Sequence, residues 1–448
     1  MLRHLCVLVC LAALTLIPGK AETPAVIAIR NARIVTVSGP VIAQGTVVVR
    51  NGLIEAVGET ITPPADAWII DGAGLTVYPG LIDSLSTLGL SDAAPMGAPS
   101  PSGRRGGGPP SSSSSSGPAT PPARGPEDRP LNTSYLLAAD QLAANDRRIE
   151  AARNAGFTSA VTFPNRNIFS GQGAVINLAG ERPGNMVVHS PAGMFLTLRT
   201  AGFTAGYPGS LLGVIAYIRQ IYLDAALYKE AKQIYAAHPV GNRRPDYDKH
   251  LEGVLAAPRI LLPASSPKDI ERMLRFGQEL KQETILYGLH EGYRATPLLK
   301  QYNGKALVDL RWPEKSRDAD PEQTDSLRTL ELRDKAPSTA AELHKAGVPF
   351  AFYAGALAQP TDVSRAVKKA IDAGLAPGDA IRALTLSPAE IFGVADRLGS
   401  IEKGKIANLI VTTGDLFQDR TRIKYVLVDG VKYEPAPPQP APPSEATR

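Results

Sequence analysis

The sequence predicts an α/β protein in which aliphatic strands alternate with helices through the middle of the chain, joined to a small β-module built from both ends. Three observations support this. Apolar residues make up 44% of the 448 residues and aromatics only 6%, so the core is expected to consist of Val, Ile, Leu and Ala, as buried parallel strands require. Strand-like segments gather near both termini. Between them, short apolar runs and helical stretches take turns, the pattern of a parallel sheet, open or closed into a barrel.

Taken in order, residues 1–21 read as a secretory signal peptide. Arg3 gives a basic start, residues 5–17 form an apolar run, and Gly19 and Ala21 flank Lys20 as small residues at a cleavage site. That run is too short to span a bilayer, and no later segment is expected to reach spanning length. Cys6 and Cys10 both fall in this leader, so the mature chain is expected to form no disulfide, Cys-zinc site or cysteine nucleophile. Export to the periplasm or beyond is the predicted location, with no stable membrane insertion once the leader is removed.

Residues 24–76 form the first part of the β-module, with strands at 25–35, 46–49, 54–57 and 67–70. Asn51-Gly52 marks a hairpin, because both residues tolerate positive φ. The second part, 398–434, repeats this character at 406–411, 423–428 and 431–433, with Asp429-Gly430 as its turn. The intervening 77–397 carries candidate strands at 76–82, 159–163, 260–263, 284–287, 307–310 and 348–352. Candidate helices lie at 134–155, 211–237, 267–281, 338–346, 361–373 and 377–384. An insert at 91–130 contains a run of six serines, Ser111 to Ser116, after Arg104-Arg105-Gly106-Gly107-Gly108. It has too little apolar surface to offset its ordering entropy and is expected to be disordered, a lid or tether over the strand ends. The Pro/Ala tail at 435–448 is expected to be disordered too. The net charge is only +5, and no basic run is interleaved with aromatics, so a nucleic-acid partner is not expected.

Several motifs resemble the amidohydrolase superfamily, in its imidazolonepropionase-like branch. They are Ile69-Ile70-Asp71-Gly72-Ala73-Gly74, Val77-Tyr78-Pro79-Gly80-Leu81-Ile82-Asp83, the run from Ala383 to Gly393, the run from Leu398 to Val411, and Val428-Asp429-Gly430. They occur in the family's order and bracket most of the chain. The resemblance implies a TIM-type (β/α)8 barrel with a β-sandwich made from the N- and C-terminal segments. It also implies hydrolysis of non-peptide or cyclic C–N bonds at the C-terminal ends of the barrel strands.

The resemblance further implies a divalent metal, zinc by expectation, held by an Asp-x-His-x-His run on the first barrel strand. Spacing of two on a strand turns both rings to one side. In this chain Leu85 and Thr87 occupy the two histidine positions, and Gly355 stands where the eighth strand should supply an aspartate. Pro263 or Ala264 replaces a fifth-strand histidine, His290 matches a sixth-strand ligand, and Asn177 stands where a bridging lysine is usual. The histidines beyond the leader, His189, His238, His250, His290 and His344, include no pair spaced by two, three or four. No strand or helix face can therefore chelate a metal through two of them. Such a metal lowers the pKa of its water from about 15.7 to about 7, withholding which costs roughly 12 kcal/mol of hydroxide activation. A general base alone returns about 10²–10⁴ in rate.

The sequence thus predicts a catalytically impaired pseudoenzyme that binds no metal or other cofactor. It would act as a binding protein, as the partner of a homologous active subunit, or as a homo-oligomer. One alternative is an active C–N hydrolase with an atypical site drawn from His290, Tyr353, Asp83 and Glu291, in which case a zinc ion would return. The other is an envelope scaffold or substrate-binding protein.

Overall fold

The computed structural model describes residues 25–91, 93, 125–180, 182–200, 206–315, 320, 322, 324–355, 357 and 360–435. The leader at 1–21, most of the insert (92 and 94–124) and the tail from 436 lie outside the described residues.

Both ends of the chain build one eight-stranded sheet. From the N-terminus come β1 (Val26–Ile34), β2 (Ile42–Arg50), β3 (Leu53–Gly58), β4 (Trp68–Asp71) and β5 (Thr76–Pro79). The C-terminus supplies β16 (Leu409–Thr412), β17 (Ile423–Val428) and β18 (Val431–Tyr433). The order is β18-β17-β16-β5-β1-β2-β3, with β4 also beside β1. Alternation along β1 sends Ile27 and Ile29 to one apolar cluster and Val26 and Ala28 to another, as a period of two requires, and the register shifts after Ile29 bring Ala32 and Ile34 to the first cluster as well. The two predicted hairpin turns form, with positive φ at Asn51, Gly52, Asp429 and Gly430. They also touch: a Cβ on Gly430 would lie 2.8 Å from Gly52 Cα, so glycine is needed where the turns meet.

The middle of the chain forms two further sheets. One has the order β10-β9-β7-β6, from β6 (Leu81–Ser86), β7 (Phe157–Thr162), β9 (Ala174–Asn177) and β10 (Val187–His189). The other has the order β15-β14-β13-β12-β11-β8. Its strands are β8 (Phe169–Gln172), β11 (Met194–Leu196), β12 (Ile260–Pro263), β13 (Thr284–Tyr287), β14 (Lys305–Asp309) and β15 (Phe350–Tyr353). Strands β11 to β15 run parallel, as do β6 and β7. One segment departs from the expected parallel pattern. β9 is antiparallel to β7, and β8 is antiparallel to β11. The break between β8 and β9 falls at Gly173, where a Cβ would meet the Phe163 ring at 2.2 Å. At their other edges the two sheets meet through side chains. Ser84 Oγ donates to Phe352 O at 2.7 Å, and Ala354 N donates to Asp83 Oδ1 at 2.9 Å. Ile82, Val161, Phe195, Leu261, Ile285, Leu307 and Ala351 share one interior between them.

Helices α1 (Arg147–Asn154), α2 (Pro183–Met186), α3 (Leu211–Ala237), α4 (Lys249–Ala256), α5 (Pro267–Glu279) and α6 (Thr296–Gln301) precede β14. After it come α7 (Leu327–Lys335), α8 (Thr339–Ala346), α9 (Pro360–Asp372), α10 (Pro377–Ala383) and α11 (Leu386–Phe392). The predicted helix at 134–155 is mostly not one. Ser134 N donates to Asn132 Oδ1 and its hydroxyl to His250 O, so side chains hold the backbone in turns. Helix α1 starts only at the Asp146 cap. Residues 125–130, placed in the insert on sequence, are held: a 3-10 turn at Pro126–Asp128 precedes Arg129, whose guanidinium pairs with Asp224 at 2.6 Å and Asp248 at 3.5 Å. Helix α3 corrects a second expectation, since by length and composition alone it could cross a membrane. One of its faces, bearing Val214, Tyr217, Ile218, Ile221 and Ala225, is nevertheless buried in this chain's core.

The framework motifs tie these sheets together. Asn408 Nδ2 donates to Ser159 Oγ at 2.9 Å and to Asn177 Oδ1 at 2.8 Å, while its own Oδ1 accepts from Asp429 N at 2.8 Å. Asn177 pairs with Ser159 near the start of β7, so it sits at the β-module end and not among the C-terminal strand ends. The lysine-replacement expectation for Asn177 is corrected accordingly. Gly80 crosses from β5 to β6 so close to Thr158 that a Cβ would lie 1.9 Å from its hydroxyl.

Candidate functional site

The C-terminal ends of β13, β14 and β15 bring His290, Asp309 and Tyr353 together, and Asp83 of β6 approaches from the far edge. Tyr353 donates from its hydroxyl to Asp309 Oδ2 at 3.1 Å. Asp309 Oδ1 accepts from Arg311 N at 2.8 Å, and the Arg311 guanidinium stands 3.8 Å from Oδ2. Burial and the Asp309 charge hold the Tyr353 phenol well above its ordinary range, so it donates its proton and does not act as an anion. His290 Nε2 is buried without a hydrogen-bond partner among the described residues, and burial lowers the ring's pKa despite the pull of Asp309.

Asp83 is the most perturbed carboxyl here. Burial raises its pKa to about 7, opposed by the Ala354 and Leu85 amides and helped by the charge of Asp309. Glu291 lies elsewhere: its oxygens face Arg294 at 3.8 Å and Arg328 at 3.5 Å, so it does not join the Asp309–Tyr353 pair.

The residues at the family's ligand positions do not fit a divalent metal. Leu85 is buried in the shared interior with Phe163, Phe195 and Tyr353. Thr87 Oγ1 accepts from Arg148 Nη1 at 3.0 Å, and the same guanidinium holds Thr87 O at 2.8 Å and Leu90 O at 2.9 Å. Gly355 has φ +62°, and a Cβ there would lie 3.0 Å from Asp309 Oδ1. Pro263 ends β12 with no donor side chain. Tyr287, stacked on Phe195 at 5.0 Å, adds a further aromatic ring at these strand ends. Among the described residues no three of His, Cys, Asp or Glu gather as a metal-holding group. Apolar contacts and paired hydrogen-bonding groups stand where free donors would be required.

Sequence reasoning missed Asp309 and Arg311. A single acid at the end of an aliphatic strand carries no local pattern, and its partner Tyr353 is 44 positions away. Beyond the ends of β6 and β7 opens a cleft of about 350 Å³ lined by Leu90, Thr133, Gln141, Asn165, Arg166 and Ser170, among others. Among the described residues its walls offer hydroxyl, amide and guanidinium groups and no carboxylate.

Residues 322–432 match the model of the amidohydrolase family, and this stretch contains the runs from Ala383 to Gly393 and Leu398 to Val411. The fold is similar to that of an amidohydrolase from Thermotoga maritima, with 25% identity, a TM-score of 0.71, and coverage of 91% of this chain and 100% of that one. The chain is thus similar to amidohydrolases in sequence over residues 322–432 and in fold over most of its length. Over 61 residues it is 44% identical to an enamidase of Eubacterium barkeri, a match covering 13% of this chain and only 16% of that enzyme. A prolidase complexed with N-methylphosphonate-L-proline shares the fold at 16% identity and a TM-score of 0.52, over 91% of this chain and 99% of that one.

Proposed function

We propose that this chain is a pseudoenzyme of the amidohydrolase superfamily, a binding protein that has kept the amidohydrolase scaffold without its metal-dependent C–N hydrolysis. The observation that carries the reading is the state of the ligand positions. Leu85 belongs to an apolar interior, Thr87 is bound by Arg148, and Gly355 has no side chain beside an Asp309 already bonded to Tyr353. Under this reading the two inner sheets form the superfamily's barrel, of TIM type with its third strand reversed, and the terminal sheet is its β-sandwich. The branch is imidazolonepropionase-like. The leader directs the chain to the periplasm, and the polar cleft beside β6 and β7 receives a small hydrogen-bonding ligand.

The competing reading, an atypical C–N hydrolase, draws support from Asp83, whose pKa of about 7 would suit acid–base work. Its four candidates do not converge, because Glu291 faces Arg294 and Arg328. Turnover assays on cyclic amides, N-acyl amino acids and prolyl dipeptides, with and without added zinc or manganese, separate the two. The expected result is no hydrolysis above background. Turnover that His290→Ala or Asp83→Asn abolishes would establish the hydrolase.

A further inference from the structure

Helix α3 carries more apolar surface than the described residues cover. Leu212, Leu223, Leu227 and Ile234 are 80, 59, 68 and 47% exposed, and Ala216 is exposed with them. At about 100° per residue these five positions fall within roughly 60° of one another, along about 33 Å of helix. They lie opposite the face that Val214, Tyr217, Ile218, Ile221 and Ala225 bury in the core. A surface helix ordinarily turns polar residues outward. Single exposed leucines need no explanation, but an aligned stripe of them marks a contact surface.

We propose that this stripe binds the same stripe of a second copy of the chain, the two helices running antiparallel about a twofold axis near residue 225. In such an isologous contact each residue meets a different one across the axis, and the stripe must therefore complement itself. It does. Positions equidistant from 225 pair Leu223 with Leu227 of the partner subunit, and small Ala216 with large Ile234 of the partner subunit. Arg219 lies six residues before the axis and Glu230 five after it, so each guanidinium approaches the opposite carboxylate. Arg219 is already held by Glu279, with its side chain 43% exposed and open to a second anion.

A lipid surface fits less well. The opposite face is fixed in the core, and helices that lie on membranes border their apolar face with cations. Here Asp224 and Glu230 accompany Arg219, Lys229 and Lys232. The inference does not depend on whether the candidate site is inactive.

The test uses the chain from residue 22 onward in sedimentation equilibrium and thermal melts. The expected result is a dimer whose dissociation constant rises about 100-fold or more in Leu223→Glu/Leu227→Glu, with no loss of thermal stability in the isolated monomer. Because the only cysteines are Cys6 and Cys10, engineered thiols report geometry directly. Leu223→Cys mixed with Leu227→Cys should cross-link on mild oxidation more readily than either variant alone. A wild-type chain that stays monomeric, a dimer that survives the double substitution, or a monomer that floats with phosphatidylglycerol vesicles would each overturn the proposal.

Discussion

Asp83 holds its proton more tightly in the folded chain than in the unfolded one, because burial raises its pKa from 3.8 to about 7. The sign follows from that direction. Below pH 4 both states are protonated and the group is neutral in its effect; between pH 4 and 7 the unfolded state ionises first and stability falls; above pH 7 the full penalty is present. Asp83→Asn keeps an oxygen for the Ala354 amide and removes the charge. It should therefore stabilise the protein at pH 8 by up to about 4 kcal/mol and leave it unchanged at pH 4, as read by chemical denaturation at both values. Gly355 argues against easy introduction of an aspartate at its position. Gly355→Asp combines a left-handed backbone with a carboxylate placed against Asp309, and should cost about 1–3 kcal/mol in a denaturation curve rather than generate a metal site. Arg148→Ala should release Thr87 and Leu90 together, and accelerate amide exchange at residues 87–90.

Among the elements, the strands that were legible are those with uninterrupted aliphatic runs: β12, β13, β14 and β15 all fall within a few residues of their predicted places. The β-module was legible through its Asn-Gly and Asp-Gly turns. Strands β8 and β9 were not, because Gly171 and Gly173 interrupt the run and the reversal of direction has no local signature. The helix predicted from 134 came from the Ala/Leu content of the segment, which Asn132 and Ser134 override by bonding to backbone groups until Asp146 caps the helix that does form. The same limit applies to the candidate site. Leu85, Thr87 and Gly355 could be read because each departs from a motif, whereas Asp309 acquires meaning only when β14 and β15 align. His290 and Glu291 are sequence neighbours that face different surroundings. At this scale Asn408 is the pin between the terminal sheet and the inner ones. Asn408→Leu leaves the Asp429 amide and the Ser159–Asn177 pair short of a partner, and should cost about 2–3 kcal/mol in thermal or urea unfolding.

For the whole molecule, the framework and the strand ends tell different stories. The turns, the crossing at Gly80 and the Asn408 pin hold the terminal sheet to the inner ones, while the interior beneath the strand ends is filled by Leu85, Phe163, Phe195 and Tyr353. On the proposed reading no metal-bound water has to be oriented there, and apolar side chains that fill the space stabilise the fold at roughly 25 cal/mol per Å² buried. Elemental analysis of the chain purified without chelator, and again after incubation with excess zinc and desalting, tests this account most directly. The predicted result is well under one metal ion per ten chains in both samples. One tightly held zinc or manganese per chain, retained through desalting, would contradict it and return the protein to the metal-dependent hydrolases.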